Sequence, residues 1–146
     1  MFLPGDAHAL PFPDRSFDAG VGLRLIMHTP DWTRCLAELC RVARWRVMVD
    51  FPALASAAAL ESAFRRAAHA FGRRTEPYRV LAERSVDRTF RANGFRIVSV
   101  HRQFVLPIAV HKAVGRPGGT RVLERALAAL GLLRLFGSPV TMVAER

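Results

Sequence analysis

The stretch GDAHALPFPDRSFD, residues 5–18, decides which fold this sequence predicts. A Gly-Asp pair is followed by a loop containing two prolines, and a Phe-Asp pair then opens an apolar run. This pattern predicts Asp6 at the carboxyl end of one strand, and in open α/β sheets ligands bind at that edge. A short carboxylate there can accept a hydrogen bond from an amine, while the next backbone N–H donates to a ring nitrogen. Asp6 followed by the small Ala7 therefore suits the edge of an adenine, although Gly-Asp also occurs in many loops that bind nothing.

Downstream of this loop, predicted strands and helices alternate. A Thr29-Pro30-Asp31 start predicts the first helix, with Thr29 as the capping residue, and Ser85 is expected to cap a later one. The order strand, helix, strand, helix, helix, strand, helix, strand predicts an α/β sheet with helices packed against it. Strands are predicted at 17–26, 46–51, 95–102 and 139–144, and helices at 29–43, 53–71, 85–93 and 122–136. Residues 103–113 are ambiguous, 115–119 read as a loop, and no linker divides the chain, so one domain is expected over 1–146.

Composition limits the class of protein. Hydrophobic residues make up 51% of the 146 residues and charged residues 23%, which suits one small folded domain rather than a disordered chain. No apolar run approaches the roughly 18 residues that a membrane-spanning helix needs. The first residues carry no basic region followed by an apolar one, so no secretory signal is predicted and a cytoplasmic location is expected.

The charge of the chain is strongly positive, at +10, but its distribution does not favour nucleic acid as a partner. Lys112 is the only lysine, and the arginines are scattered without a basic run or a zinc-finger spacing. Cys35 and Cys40 diverge on a helix by about 500°, so neither a disulfide nor a shared metal site is predicted. Both cysteines are expected to be small buried residues, and no metal site is predicted elsewhere.

Several later segments fit the same pattern as the opening loop. They are LIMH at 25–28 with Pro30-Asp31-Trp32, LAELCRV at 36–42, RVMVDF at 46–51, Asn93-Gly94-Phe95, and PVTMVAER at 139–146. Together with GDAHALPFPDRSFD they resemble the class I S-adenosylmethionine-dependent methyltransferases of type 11, most strongly over residues 5–51. The resemblance implies a partial Rossmann-like, doubly wound α/β sheet that runs from a remnant of the third strand to the seventh. The last strand would be antiparallel, and residues 1–146 would be the carboxyl-terminal portion of a methyltransferase domain.

The same resemblance implies S-adenosylmethionine as the cofactor and assigns the site residues. Asp6 would contact the adenine amine, and Ala7 would contact the ring through its backbone. Three residues at the end of the fourth family strand would line the methionine part of the cofactor: Leu23, Arg24 and Leu25. His28 would stand at the mouth of the acceptor pocket as the catalytic residue that takes a proton, although a structural or merely exposed histidine is the alternative. Asp50 either faces the substrate or is a solvated strand end.

The sequence also departs from the family pattern. It has no glycine-rich turn and no acidic residue to grip the ribose, and Gly20-Val21-Gly22 lies inside a predicted strand rather than before a helix. Met1 falls within the expected third strand, so an N-terminally truncated domain is predicted. We therefore expect methyl transfer to a small-molecule acceptor as the function of the fold, with this fragment inactive and unable to bind the cofactor tightly alone. A non-catalytic interaction module, dimerising through an exposed sheet edge, is the alternative.

Overall fold

The protein is represented by a computed structural model, which describes residues 3–54, 79–105 and 117–146. In these ranges the chain forms four strands and four helices. In chain order they are β1 (Phe17–Gly22), α1 (Trp32–Val42), β2 (Ala43–Phe51), α2 (Glu83–Ala92), β3 (Arg96–Phe104), α3 (Pro117–Ala129), α4 (Leu132–Phe136) and β4 (Ser138–Glu145).

The four strands form one sheet in the order β1-β2-β4-β3. β1 and β2 are parallel, with Gly20 opposite Val47, and the register shifts once between Phe17 and Ala19. β4 runs antiparallel to β2, because its last residue, Glu145, pairs with Arg46 near the start of β2. At the other end, the Ser138 hydroxyl accepts a hydrogen bond from the backbone N–H that follows β2. The predicted α/β sheet with an antiparallel last strand is confirmed.

The chain divides into two compact units. The first comprises Met1–Phe51, Glu83–Val100 and Thr141–Arg146, and the second comprises Pro52–Ala82 and His101–Val140. The first unit has a core built from α1, β2, α2 and the end of β4. Its fully buried side chains include Leu36, Cys40, Val47, Val49, Val86, Phe90, Phe95 and Met142. Each large apolar side chain removed from water in this way contributes about 1.5–3 kcal/mol to the gross hydrophobic term.

Two glycines of β1 permit the close approach of α1. A Cβ atom at Gly22 would lie 2.9 Å from Cδ1 of Leu39, and one at Gly20 would lie 3.3 Å from the Leu39 carbonyl oxygen. Gly20-Val21-Gly22 lies inside a strand, as predicted, and its two glycines let α1 pack closely against β1.

The second unit contains α3, α4, the end of β3 and the start of β4. α3 and α4 are separated at Gly131, whose φ of 76° lies in the left-handed region that suits glycine. Beyond β2, the Leu54 N–H donates to the Leu81 carbonyl oxygen at 2.9 Å, and the Leu81 N–H donates to the Pro52 carbonyl oxygen at 3.0 Å. None of the helices in the described part of the chain is long and apolar enough to cross a membrane.

Several predicted boundaries in the first unit are wrong for local reasons. β1 ends at Gly22 rather than Ile26, because Arg24 adopts a positive φ of 54° and turns the chain away from the strand. Asp31, not Thr29, caps α1, since its carboxylate accepts a hydrogen bond from the Arg34 N–H at 3.1 Å. Ser85 lies inside α2, which begins at Glu83. The predicted Asn93-Gly94 helix terminator is confirmed, with Gly94 at φ 78°.

The expectations for the second unit met a mixed outcome. Residues 117–119, predicted as loop, begin α3, and the predicted helix over 122–136 is broken at Gly131. Its leucine stripe is not core throughout, because Leu123 is exposed and Leu130 is 74% exposed. Most of the helix predicted over 53–71, and all but the start of the ambiguous segment 103–113, lie outside the described residues.

Candidate functional site

The loop from His8 to Arg15 runs along the whole length of α1. At the amino end of the helix, Nε of Arg34 donates to the His8 carbonyl oxygen at 2.9 Å. One turn later, the Leu10 N–H donates to the Glu38 carboxylate at 2.8 Å. At the carboxyl end, the Arg15 N–H donates to the Arg41 carbonyl oxygen at 2.9 Å. Because α1 begins beyond the carboxyl end of β1, this path brings the residues preceding His8 to the carboxyl edge of the sheet.

A Glu38–Arg41 pair holds the middle of this loop. The Arg41 guanidinium donates to both oxygens of Glu38, to the carbonyl oxygens of Leu10 and Phe12, and to the Asp14 carboxylate, all at 2.8–2.9 Å. The hydrogen bonds from Arg41, followed by the bond from the Leu10 N–H, lower the pKa of Glu38. The hydrogen bonds that Arg41 donates to Glu38 and Asp14 raise the pKa of Arg41. One guanidinium thus satisfies two loop carbonyls that could not pair with each other.

Asp6 lies in a tight turn just before the segment that α1 holds. Its carbonyl oxygen accepts a hydrogen bond from the Ala9 N–H at 3.0 Å. Its carboxylate oxygen Oδ1 accepts two, from the His8 N–H at 2.9 Å and from Nδ1 of His8 at 2.8 Å. The His8 backbone bond, followed by the side-chain bond, lowers the pKa of Asp6, so the carboxyl group is ionised near neutral pH.

The Asp6 turn presents an acceptor next to a donor. The Asp6 side chain is 66% exposed, and both bonds from His8 go to Oδ1, so Oδ2 has no partner in the described part of the chain. The adjacent Ala7 N–H likewise has no acceptor among the described residues. An ionised acceptor beside a backbone donor complements the amine and ring nitrogen of an adenine edge.

The end of β1 is held by the end of β2. The Asp50 carboxylate accepts a short hydrogen bond from the Arg24 backbone N–H, which stabilises the left-handed conformation that Arg24 adopts. Leu23 and Arg24 are exposed and Leu25 is half-buried, so this turn displays side chains at the carboxyl edge of the sheet. Asp50 therefore does more than end a strand in solvent, because its side chain fixes this turn.

His28 lies in the turn between β1 and α1. Its backbone N–H donates to the Leu25 carbonyl oxygen at 3.0 Å, and its side chain is exposed. Asp6, the turn at residues 23–25 and His28 are thus all placed at the end of the sheet where α1 begins. Within the described residues, no hydrogen bond joins Asp6 to the turn or to His28, and no cluster of His, Cys, Asp or Glu there could hold a metal ion.

Comparisons with known proteins agree with this architecture. Residues 1–46 match the family model of the methyltransferase domain. The chain also superimposes on a possible histamine N-methyltransferase from Thermotoga maritima, with a TM-score of 0.63 and 18% identity over 98% of the chain. The resemblance to class I S-adenosylmethionine-dependent methyltransferases is confirmed.

Two further structures show how widely this methyltransferase fold is shared. Magnesium protoporphyrin IX methyltransferase from Synechocystis PCC 6803 with bound S-adenosylhomocysteine gives a TM-score of 0.57 at 12% identity over 99% of the chain. The (4+2)-cyclase SpnF gives 0.58 at 19% identity over 97% of the chain. The chain spans 62% of the Thermotoga protein, 50% of the Synechocystis protein and 54% of the cyclase. No curated protein matches this sequence. At these identities the comparison shows the fold, and a fold by itself does not fix an activity.

In this methyltransferase fold, four side chains around the Asp6 loop were missed from the sequence: His8, Arg34, Glu38 and Arg41. The Glu-x-x-Arg spacing was the available signal for the last two, since it places both groups on one helix face. Neither loop carbonyl that Arg41 binds could be identified from the sequence, because the contacts join residues 29 and 31 positions apart. His8 has no metal-ligand spacing to other histidines in the sequence, so its contact with Asp6 is seen only in the structure.

Proposed function

We propose that this chain supplies the adenine-facing part of a site for S-adenosylmethionine-dependent methyl transfer to a small-molecule acceptor. The single observation that carries the proposal is the turn at Asp6, where a carboxylate acceptor and the Ala7 backbone donor lie side by side. Asp6 would bind the adenine amine, and the Ala7 N–H would donate to the ring. The residues present fit this part of the cofactor, and no ribose-binding carboxylate of the family kind accompanies them among the described residues.

The other site residues have roles consistent with their exposure. Leu23, Arg24 and Leu25 would line the methionine part of the cofactor, in a turn that Asp50 holds in place. When bound, S-adenosylmethionine supplies an electrophilic methyl group. His28, with an exposed ring between β1 and α1, would accept the proton that the acceptor loses. Because methyl transfer is an in-line displacement, the contribution expected of the protein is chiefly to position the acceptor.

Titration of the ¹⁵N-labelled chain with S-adenosylmethionine tests the cofactor assignment. At millimolar ligand, we expect the amide signals of Ala7, His8 and residues 23–25 to shift, because these groups would face the bound molecule. Asp6→Asn should weaken the response, since an amide is a poorer acceptor from an amine than a carboxylate. Asp18→Asn is the matched control, because Asp18 belongs to the same motif but pairs with Arg44 instead. Unshifted amides in both segments would refute the proposed site.

Calorimetry on the same chain measures the affinity with which the proposed adenine-facing residues bind S-adenosylmethionine without further parts of the site. We expect a dissociation constant weaker than micromolar, that is, a binding free energy smaller in magnitude than about 8 kcal/mol. The reason is that the sequence supplies neither a glycine-rich turn nor a ribose grip. Micromolar binding would show that the residues of this chain are sufficient.

The second candidate function is an interaction module, and the outer edge of β1 supports it. β1 is a terminal strand of the described sheet, so its outer backbone groups are not engaged by another described strand. Two of its exposed apolar side chains are Phe17 and Val21, the latter 59% exposed. Open strand edges of this kind pair with other chains. We therefore include pairing of β1 with β1 of a second copy as the alternative.

Light scattering coupled to size-exclusion chromatography tests the dimer. We expect a concentration-dependent dimer that Val21→Lys converts to a monomer, since a charge on an exposed strand opposes edge pairing. Leu130→Lys is the control, because Leu130 is even more exposed, at 74%, but lies beyond the end of α3. A strict monomer at about 100 µM would count against edge pairing, because a useful homodimer of micromolar affinity would be mostly assembled there.

A further inference from the structure

His8 lies between α1 and the Asp6 carboxylate and is fixed from both sides. On one side, its backbone carbonyl oxygen accepts a hydrogen bond from Nε of Arg34. On the other, its backbone N–H and its ring Nδ1 both bond to Oδ1 of Asp6. The His8 side chain is 22% exposed, so its ring is largely enclosed. Its position therefore determines where Oδ1 lies and which way the carboxylate faces.

The two ring nitrogens of His8 have different surroundings. Nε2 is shut off from solvent and has no hydrogen-bond partner among the described residues. Nδ1 lies 2.8 Å from Oδ1 of Asp6, and because a carboxylate is an acceptor, Nδ1 is the donor in this bond. The geometry thus commits the Nδ1–H of His8 to Asp6.

Arg34 is itself held by the first turn of α1. Its backbone N–H donates to the Asp31 carboxylate, which caps the helix, while its guanidinium reaches the His8 carbonyl oxygen. The charged groups around His8 are Asp6 on its own loop, Asp31 at the cap of α1 and Arg34 in its first turn. Two hydrogen bonds thus connect α1 to the Asp6 carboxylate: Arg34 binds the His8 carbonyl oxygen, and the His8 ring binds Asp6.

We propose that His8 and Arg34 are positioning residues, which orient Asp6 so that Oδ1 is occupied and Oδ2 faces the adenine amine. This inference rests on the proposed cofactor site and adds what determines its geometry. The Ala7 N–H lies between the two residues that are held, Asp6 and His8, so the same contacts fix the direction of the neighbouring donor. A carboxylate that rotates freely loses conformational entropy when it binds a ligand, which weakens the affinity. A carboxylate that His8 already holds does not incur this loss.

The first test follows the titration of Asp6 by NMR of its side-chain carboxyl carbon. In the native chain we expect the pKa of Asp6 to lie below 3.8, because the His8 N–H and Nδ1 both donate to the carboxylate. His8→Ala removes the ring donor and should raise the pKa of Asp6, and His8→Asn, which restores a side-chain N–H, should recover part of the effect. His101→Ala is the matched control, since His101 is an exposed histidine on β3.

Arg34 requires a pair of variants, because its charge also lowers the pKa of Asp6 directly. Arg34→Lys keeps the charge but loses the planar Nε donor, and Arg34→Met loses both. If Arg34 positions His8, Arg34→Lys should raise the pKa of Asp6 in the same direction as Arg34→Met. A lysine variant whose Asp6 titrates as in the native chain would show that only the charge matters and would overturn this role of Arg34.

The second test uses S-adenosylmethionine itself as the probe. The affinity measured from the amide shifts should fall about five-fold in His8→Ala, the loss expected for one ordinary hydrogen bond, and the melting temperature should change little. An unchanged affinity, or an unchanged pKa of Asp6, would overturn the positioning role of His8. If the native chain shows no response to the cofactor, the proposed function fails, and the Asp6 titrations still decide whether His8 and Arg34 orient the carboxylate.

Discussion

Replacing Glu38 with alanine should remove hydrogen bonds that hold the loop from His8 to Arg15 against α1, and should lower the free energy of unfolding of the chain. The Glu38 side chain is only 18% exposed, and its carboxylate accepts three hydrogen bonds, one from the Leu10 N–H and two from the Arg41 guanidinium. A hydrogen bond contributes about 1 kcal/mol net, and those to charged groups contribute somewhat more. With partial solvent access taken into account, we expect Glu38→Ala to cost roughly 2–3 kcal/mol.

Thermal unfolding followed by circular dichroism measures this loss. For a chain of this size, each kcal/mol corresponds to about 2–4 °C, so the melting temperature should fall by roughly 5–10 °C at pH 7. Asp87→Ala is the control, because Asp87 pairs with Arg91 on the surface of α2 and the pair lies one helical turn apart. That exposed pair should contribute less than about 1 kcal/mol. A Glu38→Ala variant that melts no lower than Asp87→Ala would refute the reasoning.

The same residue predicts a dependence on pH. Because the Arg41 bonds lower the pKa of Glu38 in the folded chain, the stabilisation is complete above its ordinary value of 4.5 and is lost as the pH falls below it. Glu38→Gln keeps an oxygen acceptor but cannot ionise. The difference in melting temperature between the native chain and Glu38→Gln should therefore narrow from pH 7 to pH 3. A constant difference over that range would show that the charge of Glu38 contributes nothing.

Three other predictions concern packing and burial. Gly22→Val should lower the free energy of unfolding by about 1–3 kcal/mol in urea titrations, because a Cβ atom at this position would already lie 2.9 Å from Cδ1 of Leu39. The control Val21→Thr, on the exposed side of β1, should leave the free energy of unfolding nearly unchanged. Burial raises the pKa of the Cys40 thiol to about 12, so Cys40 should resist alkylation at pH 8 until urea unfolds the chain. If Cys40 of the native protein is labelled at the rate of a free thiol, the residue is not buried. Leu130→Gln should change the melting temperature by less than about 2 °C, since the side chain is mostly in solvent, and a larger loss would mean that Leu130 packs against something.

The parts of the fold that depend on local patterns could be predicted from the sequence. Alternating apolar segments gave the α/β order, and the Asn93-Gly94 pair gave the end of α2, because such features are encoded within a few residues. The end of β1 could not be predicted in the same way. Leu23, Leu25 and Ile26 continue the apolar pattern, but Arg24 adopts a positive φ and its N–H donates to Asp50, 26 positions away.

In the candidate site, too, some residues could be predicted from the sequence and others could not. Asp6 and Ala7 could be selected from the sequence because the motif places a carboxylate next to a small residue before a turn-rich loop. The residues that orient them could not, since His8, Arg34 and Arg41 act through backbone carbonyl oxygens and a neighbouring carboxylate. Backbone acceptors carry no residue identity, so these contacts leave almost no mark on the sequence.

These contacts also bear on what a glycine-rich turn could add to this site. Among the described residues, the hydrogen bonds that hold residues 8–15 in place come from α1 or from the loop itself, and all lie within the first unit. The turn at Asp6, which we propose to face the adenine, therefore adjoins a segment that α1 already holds. It follows that such a turn would add further contacts to the cofactor rather than build the half-site described here. On this reasoning the isolated chain should bind S-adenosylmethionine weakly but through the predicted residues. A chain that binds only when the loop is remodelled would show that α1 does not pre-form the site.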